Sequence, residues 1–158
     1  MFRRRRGQVW IALNEADVTL LRRLIDDYLE LLDSESEPDD PVISRLFPPA
    51  SRDDPEVQRQ FRELSGSDLD RHKRSSAKKV LDFLGSTGGL RAALRTEEDC
   101  EAWLVALTDL RLALGVRLEV TEEIQAAIAD PKDPDQLPLF VLHWLGALEE
   151  SLVHAIRP

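Results

Sequence analysis

Only a few side chains in this sequence are of a type that does chemistry, and their spacing limits what chemistry that is. Cys100 is the one cysteine, so no disulfide forms within the chain, which fits a reducing compartment. The three histidines, His72, His143 and His154, are scattered, and none shows metal-ligand spacing with Cys100 or with another histidine. His143 and His154 lie about three helical turns apart, too far to share an ion unaided. The acids between Asp26 and Asp40 lack the glycine and the alternation of a calcium loop. No glycine-flanked nucleophile elbow and no phosphate loop occurs. Catalysis is the least supported class, and neither a metal nor a cofactor is expected. Cys100 is the single redox candidate. A position one turn inside a helix favours its thiolate, whereas Glu98, Asp99 and Glu101 oppose it, and the commoner fate is an inert, partly buried thiol.

Cationic side chains are the other candidates. Between Arg71 and Lys79 stand five lysines and arginines with no acid among them. At 100° per residue, Arg71, Arg74 and Lys78 gather almost opposite the line Leu69, Ser76, Ala77, Val80, Phe83, Leu84. The ordinary reading is a solvated helix back; the functional one is phosphate contact with DNA, with Arg71, Arg74 and Lys78 as the binding residues. Nothing upstream makes a helix-turn-helix. A second cluster, Arg3 to Arg6, reads as a frayed basic tail over residues 1–6, with contact to an anion or nucleic acid as the alternative. The net charge of −9 means that nucleic acid is met, if at all, by such a local patch against the overall field.

The elements that must position these residues are mainly helical. With 158 residues, 42% hydrophobic and 32% charged, the chain suits one domain, residues 1–158, with a real core and a highly charged exterior. Its organising element is a helix predicted over 97–123, in which Cys100, Trp103, Leu104, Leu107, Leu110, Leu114 and Leu118 form one stripe. Val105, Leu112 and Val116 add a second apolar line, so this helix is expected to be buried centrally. Thr96 and Asp99 read as its capping box. Arg111 falls in the stripe and needs a carboxylate or backbone partner; Asp109, on another face, is not it.

Before this helix, Gln8 to Leu13 alternates as a short strand and is expected to pair with Val116 to Val120 in a two-stranded element. Asn14 caps a first helix running to about Asp33. Residues 34–40 read as a mobile acidic loop, Pro41 to Phe47 as one helical turn, Asp54 as the cap of a helix ending at Gly66, and Ser67 as the start of the basic helix. Leu90 to Leu94 reads as a short apolar turn of helix, Thr121 to Ala129 as a small helix, and a last helix starts near Pro138. That last helix has a second apolar flank, Leu139, Leu142 and Val153, which suggests a homodimer. The start MFRRRRGQVWIAL lacks a cleavage site and no stretch approaches about 18 uninterrupted apolar residues, so a cytoplasmic protein without membrane contact is expected.

Two stretches, RLFPPASRDDPEVQRQFREL (Arg45 to Leu64) and WLVALTDLRLALGVRLEVTEE (Trp103 to Glu123), following an N-terminal strand and a leucine-rich helix, carry a resemblance. The chain resembles an actinobacterial family long catalogued as a domain of unknown function, which includes the AosR oxidative-stress transcriptional regulators. The resemblance implies a dimeric, mainly helical, cytoplasmic protein acting in transcription under oxidative stress, through DNA or a protein of the transcription machinery. Family genes stand near those of the proteolytic adaptor ClpS and of a cysteine-synthesis route, which gives the alternative of an interaction module or adaptor without DNA contact. The family's regulator uses a Cys-x-x-x-Cys pair. Here Thr96 and Leu104 flank Cys100 at that spacing, so an intramolecular switch does not carry over. A bridge between subunits or a sulfenic acid at Cys100 is what remains. Thr108 stands where the family is expected to have asparagine.

Overall fold

A computed structural model describes residues 1–33, 40–47, 67–119, 130 and 132–158. The helices expected at 54–66 and 121–129, and the acidic loop over 34–39, lie outside the described residues. The fold is mainly α, a compact set of helices beside one small antiparallel sheet.

Strand β1 (Phe2–Arg5) and strand β2 (Gln8–Leu13) form a hairpin, with Arg5 opposite Gln8 and Phe2 opposite Ile11. Its two-residue turn has Arg6 at φ 50° and Gly7 at φ 81°, the pair of positive angles that matches the natural strand twist. The expectation of a frayed tail over residues 1–6 is therefore corrected. Phe2 anchors the strand: it is 3% exposed and meets Trp103 edge-on at 5.3 Å. On the inner side of the same strand, the Arg4 guanidinium donates to the Ile156 and Arg157 carbonyls at 3.2 and 3.1 Å, which caps the last helix.

The pairing of β2 with Val116 to Val120 is also corrected. Its second neighbour is strand β3 (Leu90–Leu94), in the order β1-β2-β3, with Trp10 opposite Ala93 and Ala12 opposite Arg91. Leucine and alanine made Leu90 to Leu94 look helical, but the open edge of β2 offers a hydrogen-bonding partner that outweighs that propensity. Val116 meanwhile remains helical.

Helix α1 (Glu15–Asp33) begins at Asn14, whose Oδ1 accepts the Asp17 N–H at 2.8 Å, and it buries Val18, Leu21, Ile25 and Tyr28. Helix α2 (Pro41–Leu46) is capped by Asp40, which accepts the Val42 N–H at 2.9 Å. The Val42 N–H first, and then the Arg117 guanidinium at 3.1 Å, hold the Asp40 carboxyl below its ordinary range. Helix α3 (Ser67–Leu84) turns Ser76, Ala77, Val80 and Leu84 inward.

Helix α4 (Glu97–Arg117) is the central element, packed against α1, α2, α3 and the last helix. Thr96 and Asp99 form the expected capping box, with the Asp99 N–H donating to Thr96 Oγ1 at 3.0 Å. The buried face is rotated from the predicted stripe. It comprises Asp99, Ala102, Trp103, Ala106, Leu107, Asp109 and Leu110, while Cys100, Leu104 and Leu114 are half-buried. Small alanines let the neighbouring helices approach closely, which a count of large apolar side chains overlooks. The helix stops at the Leu118 cap and Glu119, which has φ 51°, short of the expected end.

A 3-10 turn (Pro134–Gln136) leads into helix α5 (Leu137–Ile156). By length and composition alone this segment is apolar enough to cross a membrane. Here Leu145, Leu148 and Leu152 are fully buried against protein, the arrangement of a core helix.

Candidate nucleic-acid interface

Helix α3 carries the predicted contact residues, and its neighbours decide which remain available. Lys73 turns inward and donates to Asp109 Oδ1 at 2.8 Å, while the Tyr28 hydroxyl donates to Asp109 Oδ2 at 2.7 Å. The network joins α1, α3 and α4. Burial first, and the Asp109 charge with it, raises the Tyr28 phenol far above its ordinary value. Arg74 is also engaged. Its Nε donates to Asp70 at 2.8 Å and its fork reaches the Leu32 carbonyl at 2.6 Å and the Asp33 carboxylate. Lys79 meets Asp99 at 3.1 Å.

Three of the five bases on α3, Lys73, Arg74 and Lys79, thus hold the fold together. Among the described residues Arg71 pairs only with Asp68, both about three-quarters exposed, and solvent competes with such a pair. Lys78 is exposed and has no ion pair among the described residues. His72 faces Glu101 at 3.6 Å. Of the predicted trio, Arg71 and Lys78 face water, and Arg74 ties α3 to the end of α1.

Cys100 is half-buried at the first turn of α4. Burial pushes its thiol up, and the Asp99 and Glu97 carboxylates push it further. No grouping of three or more histidine, cysteine, aspartate or glutamate side chains suited to a metal occurs among the described residues.

Between α2, α4 and α5 lies a cleft of about 540 Å³ lined by Arg45, Thr108, Arg111 and Leu142 among others. Two of its polar side chains are tied across the helices to one carboxylate, while the buried Arg111 Nε has no hydrogen-bond partner among the described residues. Glu149 accepts from Arg111 Nη1 and from Thr108 Oγ1, each at 2.6 Å. Arg111 therefore has its carboxylate, and as expected it is not Asp109.

The other cationic surface is the outer face of the sheet. Alternation sends Phe2, Val9, Ile11, Leu13 and Leu94 into the core and leaves Arg3, Arg5, Gln8, Trp10, Ala12, Arg91 and Ala93 outside. Arg3, Trp10 and Ala93 form one row across the three strands. Trp10 is half-buried, and Arg3, Arg5 and Arg91 are exposed, without a side-chain ion pair or hydrogen bond among the described residues. A depression of about 320 Å³ beside Trp10 is lined by Arg3, Arg5 and Arg91; another of about 420 Å³ is lined by Phe83, Arg91 and Arg95. Two signals for this face stand in the sequence, the outward phase of Trp10 and the arginine cluster. Without β3, Arg91 and Arg95 could not be placed beside them.

A family model described as a domain of unknown function, DUF2017, matches residues 1–156. The chain belongs to the DUF2017 family. Similar to this DUF2017 chain are proteins named oxidative stress regulator AosR in Mycobacterium bovis and in Mycobacterium tuberculosis strain H37Rv. Each is 35% identical over 137 residues, covering 73% of this chain and 58% of the relative. The DUF2017 chain thus spans less than two thirds of the length of the curated relatives it matches. No solved structure matches it.

Proposed function

We propose that this DUF2017 protein is a cytoplasmic regulator of the oxidative-stress response, not an enzyme, acting as a homodimer in transcription through DNA or a protein of the transcription machinery. The observation that carries the reading is the set of cationic side chains without a partner among the described residues, on a chain of net charge −9 whose relatives are named oxidative stress regulators. An acidic protein keeps clear of bulk nucleic acid, so a local cluster of free guanidinium groups supplies whatever contact it makes. Self-association is supported by Leu137 and Phe140 on α5, which are 49% and 40% exposed. With its thiol pushed up, Cys100 suits slow oxidation or a bridge between subunits better than fast sensing.

The acidic total favours a second reading, an adaptor without DNA contact linked to ClpS-type proteolysis or cysteine metabolism. Affinity capture from a native extract of a DUF2017-bearing actinobacterium, with and without nuclease, separates the two. Recovery of DNA or transcription proteins that nuclease diminishes supports the regulator. Recovery of a protease adaptor or cysteine-synthesis enzymes unaffected by nuclease supports the adaptor.

A further inference from the structure

From the outer face of the sheet we infer a binding site for single-stranded nucleic acid, with Trp10 stacking on an unpaired base and Arg3, Arg5, Arg91 and Arg95 holding the adjoining phosphates. The inference deepens the regulator reading and rests on it for taking nucleic acid as the ligand. The geometry supplies the rest. Alternate residues of one strand, such as Arg3 and Arg5, stand about 7 Å apart along it, and neighbouring strands are about 5 Å apart. The face therefore presents guanidinium groups around one indole, carried at backbone positions that the hydrogen-bonded sheet fixes, instead of on a loop.

Charge complementarity selects the occupant. Every ionisable side chain pointing outward from the three strands is an arginine, and arginine's planar fork suits phosphate oxygens. Among the described residues that line the two depressions, the one carboxylate is Asp99, already engaged by Lys79 and by the N–H groups of Arg95 and Thr96. A half-buried indole between two depressions has space beside it for a base, and a base in a duplex is not available to it. Single strands are therefore favoured over double.

The test is fluorescence anisotropy on the full chain with a labelled 12-nucleotide oligodeoxythymidylate and, separately, a 12-base-pair duplex of mixed sequence. The wild type is expected to prefer the single strand. Trp10→Ala weakens that binding about 10-fold or more, and Trp10→Phe restores most of it. Replacing both Arg5 and Arg91 by alanine lowers the slope of log affinity against log salt by about 1.4, at about 0.7 for each phosphate no longer neutralised. Circular dichroism of each variant checks that the sheet is retained. If single-strand affinity is unchanged in the folded sheet variants but lost in Arg71→Ala/Lys78→Ala, the site is overturned while the regulator reading stands. Duplex preference with no Trp10 dependence overturns the stacking. If the wild type binds neither oligonucleotide at low salt, both the site and the DNA form of the regulator reading fall.

Discussion

Lys73 and Asp109 form an ion pair of 2.8 Å whose side chains are 11% and 3% exposed, at the place where α3 crosses the middle of α4. Breaking a pair so enclosed leaves one charge buried without its partner. Asp109→Ala is expected to lower stability by about 3–5 kcal/mol in urea denaturation. Replacing the network together, as Lys73→Met, Asp109→Leu and Tyr28→Phe, recovers most of it, since no unpaired polar atom is left. A triple variant as unstable as Asp109→Ala would show that the network contributes more than mutual neutralisation.

Gly89 and Gly115 make opposite predictions. A Cβ at Gly89 would lie 2.8 Å from the Leu13 carbonyl oxygen, so Gly89→Ala forces backbone apart and costs about 1–3 kcal/mol. A Cβ at Gly115, inside α4, meets nothing within 4 Å, and Gly115→Ala gains about 0.5–1 kcal/mol from helix propensity. Thermal melts of the two variants are expected to move in opposite directions, and a rise for Gly89→Ala would contradict the close approach of β3 to β2.

Asp99 links folding to pH. Burial alone would raise its carboxyl, but Lys79 and the N–H groups of Thr96 and Arg95 outweigh that and lower it from the ordinary 3.8. A carboxyl lowered in the folded state stabilises the fold fully above its unfolded value and loses that contribution as pH falls through the folded value. Asp99→Asn is therefore expected to cost about 2 kcal/mol at pH 7. The gap from the wild type narrows as the pH is taken below 3.8. A gap that stays constant down to pH 3 would contradict the assignment.

Cys100 is expected to react slowly. With its thiol raised by burial and by Asp99 and Glu97, alkylation by iodoacetamide at pH 8 runs slower in the folded chain than with glutathione, and reaches the glutathione rate in urea. A folded-state rate matching glutathione would restore Cys100 as a fast redox sensor.

What the sequence revealed was local. Asn14, the Thr96 and Asp99 box, and the proline that opens α2 act within a few residues of themselves, and each starts a helix where its chemistry says. The pairing of β2 depends instead on a segment far along the chain, and β3 is written in alanine and leucine, which favour helix until a strand edge is beside them. Strand β1 was hidden by four arginines in succession, because alternation cannot be read where inward and outward residues are the same type. Arg4 points in while Arg3 and Arg5 point out, and only the register separates them. For the same reason the basic run of α3 did not disclose that Lys73, Arg74 and Lys79 have carboxylate partners on other elements.

The most direct test of where this protein meets nucleic acid is photo-crosslinking with a 12-nucleotide oligodeoxythymidylate carrying 4-thiothymidine, followed by trypsin and peptide mapping. Crosslinks are predicted on the peptide 7–22, which contains Trp10, and to vanish in Trp10→Ala and at high salt. Crosslinks confined to helix α3, or none above those on an unrelated acidic protein, would contradict the account.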